Sequence, residues 1–168
     1  MTDLAGRVIV LTGAGRGIGR EVAIQSARLG ARLVLNARSS SELAETERQG
    51  RLTGAQCLVV QGDVGEPETA ARLAEAVQDV FGTCDILANI AGRSGPIGEV
   101  ETLDPAAFAD TLRVNVLGTF LTCRAILPMM KARGSGRIVN VASGLADYVQ
   151  PGQAAYSASK AAIVQFTR

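Results

Sequence analysis

The sequence contains no histidine and no tryptophan, and aromatic residues make up only 4% of its 168 residues. Without histidine, the chain cannot build Ser-His or Cys-His nucleophilic pairs, and most zinc sites are excluded. Its three cysteines lack CxxC spacing, so no disulfide framework is indicated and we expect reduced, half-buried filling residues: Cys57, Cys84 and Cys123. Acid or base chemistry must therefore come from Tyr, Lys, Asp, Glu or Cys.

The sequence also has little net charge and no long hydrophobic run. A formal charge of +1 gives no field that would attract nucleic acid or an anionic membrane. No apolar stretch approaches the roughly 20 residues of a membrane span, and the first residues do not form a signal peptide. We therefore predict a cytoplasmic protein with no nucleic-acid, membrane or metal partner.

What is present suits one globular domain over residues 1–168. Hydrophobic residues make up 47% of the chain, which is long enough to bury one core and short for two. Short apolar runs predict five strands, at 7–13, 31–38, 55–63, 84–92 and 136–144. Helical patterns lie between and after them, at 17–30, 40–50, 66–81, 104–133 and from about 153.

This alternation predicts an α/β fold with a Rossmann-like, doubly wound parallel sheet and helices on both faces. Asp104 and Pro105 supply an N-cap and a first-turn proline for the longest helical segment. Pro128 is expected to kink that segment or end it late. The glycine-rich stretch 92–100 is the longest irregular segment and a candidate ligand-facing loop.

A glycine array lies where the first strand turns into the first helix. The stretch "VIVLTGAGRGIGREVA" contains Gly13, Gly15, Gly17 and Gly19. Free backbone amides and the helix dipole at such a turn favour a pyrophosphate, although glycines also make ordinary tight turns. Because no Gly-Lys-Ser/Thr follows, dinucleotide binding is favoured over nucleoside triphosphate hydrolysis.

The end of the second strand bears on the choice of dinucleotide. An acidic residue there would bind the ribose hydroxyls of NAD, but Ala37 occupies the position. Arg38 follows it, and Arg16 lies within the glycine turn. Two guanidiniums without a carboxylate favour a 2′-phosphate, and hence NADP(H) over NAD(H). The alternative is that both arginines are solvated surface charges.

Asp63 and Val64 follow the third strand and could bracket an adenine through one polar and one apolar contact. Asp63 could equally be the N-cap of the next helix. Either interpretation keeps both residues near the carboxyl edge of the sheet.

Tyr156 and Lys160 are spaced to share one helix face. A free tyrosine has a pKa near ~10, but a neighbouring ammonium favours the phenolate and makes proton exchange easier. A ketone that accepts a hydride needs such a proton source and a hydrogen-bond donor. Ser143, which leaves the fifth strand at its carboxyl end, could be that donor. The alternative for the pair is an ordinary helix surface.

Five motifs, in order, resemble those of the short-chain dehydrogenase/reductase family, particularly its 3-oxoacyl-carrier-protein reductase-like members. They are "TGAGRGIG" (12–19), "NIAG" (89–92), "RVNVLGTF" with Asn115, "NVASG" (140–144) and "YSASK" (156–160). The resemblance extends over essentially the whole chain.

The resemblance implies a catalytic role for four residues. Tyr156 would be the proton donor and acceptor, and Ser143 would polarise the carbonyl group. Lys160 would modulate Tyr156 and hold the nicotinamide ribose. Asn115 would hold a water that links Lys160 to solvent, unless it is a helix-interior asparagine that bonds locally.

Residues and resemblance together give the expected cofactor site. Its members are Gly13, Gly15, Arg16, Gly17, Ile18, Gly19, Arg38, Asp63, Val64, Asn89, Ala91, Gly92, Tyr156 and Lys160. Within "NIAG", Asn89 matches the first asparagine of the usual "NNAG" and Ile90 replaces the second. This replacement should weaken one hydrogen bond near the cofactor.

Family members ordinarily continue into a sixth strand, a substrate-covering segment and a seventh strand. We therefore expect a domain that lacks these last two strands, incomplete at its C-terminus, as in a fragment of a longer enzyme. The fifth strand should form an apolar sheet edge, which favours aggregation unless it is covered. The resemblance also implies a homo-oligomer in the full-length form.

The functional expectation is an NADP(H)-dependent oxidoreductase. It would interconvert a ketone or 3-oxoacyl group and a secondary alcohol, acting on a small-molecule or acyl-thioester carbonyl. The alternative is a catalytically inactive, truncated dinucleotide-binding remnant. A sugar-nucleotide epimerase is disfavoured because that branch tends towards different glycine spacing and needs a large C-terminal domain.

Overall fold

The computed structural model describes residues 4–148 and 150–168. Five strands form one sheet: β1 (Val8–Thr12), β2 (Arg32–Ala37), β3 (Cys57–Gln61), β4 (Ile86–Asn89) and β5 (Arg137–Asn140). Their order is β3-β2-β1-β4-β5, and every neighbouring pair is parallel. The chain thus crosses over between β3 and β4, beside β1, which confirms the predicted doubly wound sheet.

In residues 4–148 and 150–168, six α-helices accompany the sheet: α1 (Gly17–Arg28), α2 (Ser40–Leu52), α3 (Pro67–Phe81), α4 (Pro105–Leu112), α5 (Gly118–Arg133) and α6 (Ala154–Thr167). Short 3₁₀ turns cover Val100–Thr102 and Gly144–Ala146. Among the described residues, no helix combines the length and apolar character that a membrane crossing requires.

The strands are apolar throughout because helices cover both sheet faces. Val8 and Val10 of β1 pack in a cluster with residues of α3 and α5. Ile9 and Leu11 point to the other face and pack with residues of α1 and α2. All five β1 residues are buried, as expected when consecutive residues enter two different cores.

The segment predicted as one helix over 104–133 is more complex than its sequence pattern suggests. Asp104 accepts hydrogen bonds from the amides of Ala106 and Ala107, which confirms the predicted N-cap. A π-helical turn, Arg113–Leu117, then separates α4 from α5. Pro128 does not end the helix, which continues to Arg133.

Within the described part of the chain, β5 is an edge strand of the sheet. Alternate residues of this strand are exposed, and Val139 keeps 52% of its surface accessible. The three cysteines are free and buried, so the prediction of half-buried thiols was wrong. Two of them, Cys84 and Cys123, belong to the α3–α5 core.

Candidate active site

A cleft of about 610 Å³ lies beyond the carboxyl ends of β1 to β4, where the strand order reverses. The predicted site residues that line it are Gly13, Gly15, Arg16, Gly17, Ile18, Gly19, Arg38, Asp63, Val64, Ala91, Gly92, Tyr156 and Lys160. Three predicted residues are not in this lining: Asn89, Asn115 and Ser143.

The glycine turn has the backbone geometry that a pyrophosphate site requires. A Cβ atom on Gly13 would lie 2.8 Å from the backbone of Ala91, and one on Gly19 would overlap the Gly13 carbonyl oxygen. No side chain caps the start of α1, whose first turn contains no acidic residue. The helix amides and the positive end of the dipole therefore face the cleft, and these residues fit a dinucleotide phosphate.

Helix α2 fixes the glycine turn from one side. The Thr46 hydroxyl donates to the Ala14 carbonyl oxygen at 2.9 Å. Arg20 donates to the Thr46 hydroxyl at 3.0 Å and also to the carbonyl oxygens of Gly15 and Glu42. The turn and the first residues of α2 therefore form one hydrogen-bonded unit.

Arg16 and Arg38 are both exposed at the rim where the predicted 2′-phosphate would lie. The sequence argument missed a carboxylate there: Glu42 lines the same cleft, and its Oε1 lies 3.8 Å from Nε of Arg16. A sequence signal existed, because Ser39 and Glu42 have capping-box spacing and the Ser39 hydroxyl accepts from the Glu42 amide.

Asp63 lines the cleft and is held there by hydrogen bonds, but it is not a helix cap. The N-cap of α3 is Glu66, whereas Asp63 accepts hydrogen bonds from the Gly65 amide and from Arg113, both at 2.9 Å. Burial alone would raise the pKa of Asp63, but these hydrogen bonds and the nearby charges of Arg113 and Arg38 lower it. Asp63 is therefore an ionised carboxylate at neutral pH.

Lys160 and Tyr156 share one face of α6, and both line the cleft. The Lys160 ammonium lies 5.6 Å from the centroid of the Tyr156 ring and donates a 2.6 Å hydrogen bond to the Val141 carbonyl oxygen. Burial lowers the pKa of Lys160, because desolvation disfavours the ammonium form.

Asn115 lies in the π-helical turn, and its side chain does not bond locally. Its Oδ1 accepts from the Arg93 amide at 2.9 Å, while its Nδ2 donates to the Arg93 carbonyl oxygen and to the Ser159 hydroxyl. A Cβ on Gly92 would lie 3.3 Å from this Oδ1 and 3.7 Å from the Lys160 ammonium. Asn115 therefore joins the loop after β4 to α6, directly behind the cleft.

The other two predicted residues lie close to the cleft without lining it. Ser143 follows β5, and its hydroxyl accepts a hydrogen bond from the Leu145 amide at 3.2 Å. Asn89 is buried at the end of β4, where it donates to Asn140 and accepts from the Thr122 hydroxyl. Asn89 thus ties β4 to β5 and α5.

Two supporting residues were not found from the sequence. The Thr12 hydroxyl accepts hydrogen bonds from the amides of Ile90 and Ala91, both at 3.1 Å, and so holds the β4 exit beside the glycine turn. The buried Asn36 amide donates to the carbonyl oxygens of Val60 and Gly62, which fixes the turn before Asp63. Thr12 begins the "TGAGRGIG" motif, but the motif itself gave it no role, and Asn36 belongs to none of the five motifs.

The reversed strand order, glycine turn and adjoining Tyr156–Lys160 pair define a Rossmann-type dinucleotide-binding domain. The family model "short chain dehydrogenase" matches residues 7–168, and the chain belongs to that family.

Three known proteins illustrate the similarity. An uncharacterized oxidoreductase of Thermotoga maritima is 36% identical over 166 residues, which are 99% of this chain and 65% of that protein. The crystal structure of an NAD⁺-bound xylitol dehydrogenase has a TM-score of 0.95 and 32% identity, over 99% of this chain and 64% of the other. A metagenomic short-chain oxidoreductase in complex with NADP has a TM-score of 0.93 and 34% identity, over 98% and 75% of the two chains.

The chain spans between 57% and 65% of the length of the curated relatives described by these comparisons. The two solved structures contain different dinucleotides, one NAD⁺ and the other NADP. Membership of the family therefore does not decide between NAD and NADP, and the residues at the cleft rim are the evidence that bears on this question.

Proposed function

We propose that this chain is an NADP(H)-dependent oxidoreductase that interconverts a ketone or 3-oxoacyl group and a secondary alcohol. Residues 1–168 form its dinucleotide-binding domain. The observation that carries the proposal is the shared cleft, in which the Tyr156–Lys160 pair adjoins the uncapped glycine turn. The substrate is a small-molecule or acyl-thioester carbonyl compound, and the whole protein is a cytoplasmic homo-oligomer.

The residues of the cleft would hold the dinucleotide along its length. The first amides of α1 would bind its pyrophosphate, Asp63 and Val64 would bracket its adenine, and Tyr156 and Lys160 would lie beside its nicotinamide. Arg16 and Arg38 would bind the 2′-phosphate. When bound, the nicotinamide supplies the hydride that reduces the carbonyl carbon.

Tyr156 supplies the proton that completes the reduction. Its hydroxyl donates to the carbonyl oxygen, which becomes an alcohol oxygen as the carbon gains the hydride. Lys160 lies 5.6 Å from the phenol ring, and its positive charge stabilises the phenolate that remains. In the oxidative direction the same phenolate accepts the proton of the alcohol.

Ser143 and Asn115 support this proton transfer. Ser143 polarises the substrate carbonyl by donating its hydroxyl proton, which remains free because the hydroxyl accepts, and does not donate, its hydrogen bond with the Leu145 amide. Asn115 fixes the Arg93 backbone and Ser159 behind Lys160 and so would hold a water that links Lys160 to solvent, the route by which the Tyr156 phenolate regains its proton.

The test is NADPH consumption by the chain with a 3-oxoacyl thioester or a simple diketone, followed by the absorbance of reduced nicotinamide. Tyr156→Phe keeps the ring but removes the proton, so kcat should fall by about 10²–10⁴-fold while NADPH binding is retained. Tyr148→Phe is the matched control, because Tyr148 is exposed and does not line the cleft.

Two results would oppose the proposal. Equal turnover by Tyr156→Phe and the unaltered chain would refute the role of the phenol. Binding of NADPH without turnover of either carbonyl class would instead support a non-catalytic dinucleotide-binding chain.

A further inference from the structure

The cleft rim carries an acidic group that opposes its two arginines. Of the described residues that line the cleft, two are acidic, and Asp63 is already paired with Arg113. The other is Glu42, whose side chain lies over Gly15: a Cβ on Gly15 would be 3.1 Å from Glu42 Oε2 and 3.1 Å from the Ala37 Cβ. The Glu42 carboxylate thus occupies the neighbourhood of Ala37, the position at which an acidic residue would bind the ribose hydroxyls of NAD.

The backbone that carries Glu42 is fixed against the glycine turn. Arg20 donates to the Glu42 carbonyl oxygen at 3.2 Å, and the Glu42 amide donates to the Ser39 hydroxyl at 3.3 Å. Glu42 itself is only partly exposed, whereas the Arg16 side chain is 80% exposed. The carboxylate therefore holds its position more firmly than the guanidinium that pairs with it.

We propose that Glu42 is a specificity-determining residue that weakens the binding of a 2′-phosphorylated dinucleotide by competing for Arg16. This inference rests on the proposed use of NADP(H). A 2′-phosphate that binds Arg16 must replace the carboxylate at 3.8 Å and approach a second negative charge. An unphosphorylated ribose has no charge to be repelled and does not need Arg16.

The test compares Glu42→Gln with the unaltered chain by titration of NADPH and NADH, using the fluorescence of the reduced nicotinamide. The amide keeps the size of the side chain but removes the charge. We expect the NADPH Kd to fall about two- to five-fold, as for loss of an exposed charge pair, and the NADH Kd to change much less. Glu47→Gln is the matched control, because Glu47 pairs with Arg51 on the same helix and does not line the cleft.

A double-mutant cycle tests whether the effect of Glu42 on NADPH binding depends on Arg16. In an Arg16→Gln background, the effect of Glu42→Gln on NADPH should largely disappear. An unchanged NADPH Kd, an equal tightening of NADH, or a weakening of both dinucleotides would overturn the inference.

The outcomes also separate this inference from the proposed function. If the unaltered chain prefers NADH, the proposed cofactor is refuted. The change in the ratio of the NADPH Kd to the NADH Kd on Glu42→Gln would still decide the role of Glu42. A chain that binds neither dinucleotide would overturn both.

Discussion

The ammonium of Lys160 donates a 2.6 Å hydrogen bond to the carbonyl oxygen of Val141, and thereby ties α6 to the exit of β5. The same ammonium lies 5.6 Å from the Tyr156 ring. The distance between the lysine charge and the phenol is therefore set partly by the edge strand of the sheet, and not by helix spacing alone.

Lys160→Met should reduce kcat by about 10²-fold or more, because it removes the charge that stabilises the phenolate. The chain should still fold, since methionine fills a similar volume and carries no buried charge. Steady-state reduction kinetics and circular dichroism would measure the two effects. Lys131→Met, on an exposed site of α5, is the control and should leave kcat unchanged.

The protonation of Lys160 should also make the rate of carbonyl reduction depend on pH. Because burial lowers the pKa of Lys160, the ammonium loses its proton at lower pH than an exposed lysine. The rate of carbonyl reduction should therefore decline as the pH rises through this lowered pKa, at lower pH than an exposed lysine would give. A rate that stays constant up to the ordinary lysine pKa would contradict this assignment.

Arg38→Asp should reduce the preference for NADPH over NADH about ten-fold or more. It replaces a guanidinium that donates hydrogen bonds to the 2′-phosphate by a carboxylate that repels this phosphate. Arg38 is exposed at the rim, and its charge also acts on Asp63. Arg28→Asp makes the same charge change on an exposed site of α1, outside the cleft lining. The preference is measured as the ratio of the NADH Kd to the NADPH Kd. If this ratio is the same in Arg38→Asp as in the unaltered chain, Arg38 does not bind the 2′-phosphate.

Gly19→Ala should abolish dinucleotide binding, because the new methyl group would overlap the Gly13 carbonyl oxygen and force the turn apart. Overpacking of this kind costs about 1–3 kcal/mol of stability. Gly54→Ala is a useful comparison, since Gly54 has φ of +88° but open space around its Cβ direction. Backbone strain should lower the free energy of unfolding of that variant by about 1–2 kcal/mol, and the variant should still bind NADPH. Retained binding by Gly19→Ala would contradict the proposed phosphate site.

Asp85→Asn should destabilise the fold by about 1–3 kcal/mol at neutral pH. Asp85 accepts a 2.9 Å hydrogen bond from the Val8 amide and pairs with Arg7 and Arg133. Burial opposes the charged form, but these partners lower the pKa of Asp85 below its ordinary value. Its contribution is therefore present at neutral pH and lost as the pH falls through the lowered pKa.

Urea unfolding at neutral and acidic pH would measure this effect. The stability difference between the unaltered chain and Asp85→Asn should shrink below about pH 4, as the native carboxylate gains a proton. Asp79→Asn, on the exposed face of α3, should show no comparable difference. A pH-independent difference would contradict an ionic role for Asp85.

The sheet was predictable because its signals are local and repeated. Each strand is a short apolar run, and β1 shows why: Val8 and Ile9 enter different cores, so no polar residue interrupts the pattern. The glycine turn and the Tyr156–Lys160 spacing were equally readable, since their geometry depends on close neighbours in the chain.

Other parts of the site depend on contacts between distant segments. Asn115 and Ser159 are 44 positions apart, and only the packing of α6 against the π-helical turn brings them together. Glu42 reaches the cleft because Arg20 and Thr46 bind α2 to the glycine turn. The pattern of α4 and α5 looked like one continuous helix, because a single wide turn barely alters apolar spacing.

The Arg113–Leu117 turn makes the residue count of this segment important to the site. A π turn holds about one residue more than an α turn, so deleting one residue would convert it to regular helix and change the directions of the side chains inside the turn. That change would separate Arg113 from Asp63 and Asn115 from Arg93. A homologue that is one residue shorter here would have to anchor both ends of its cleft by other side chains.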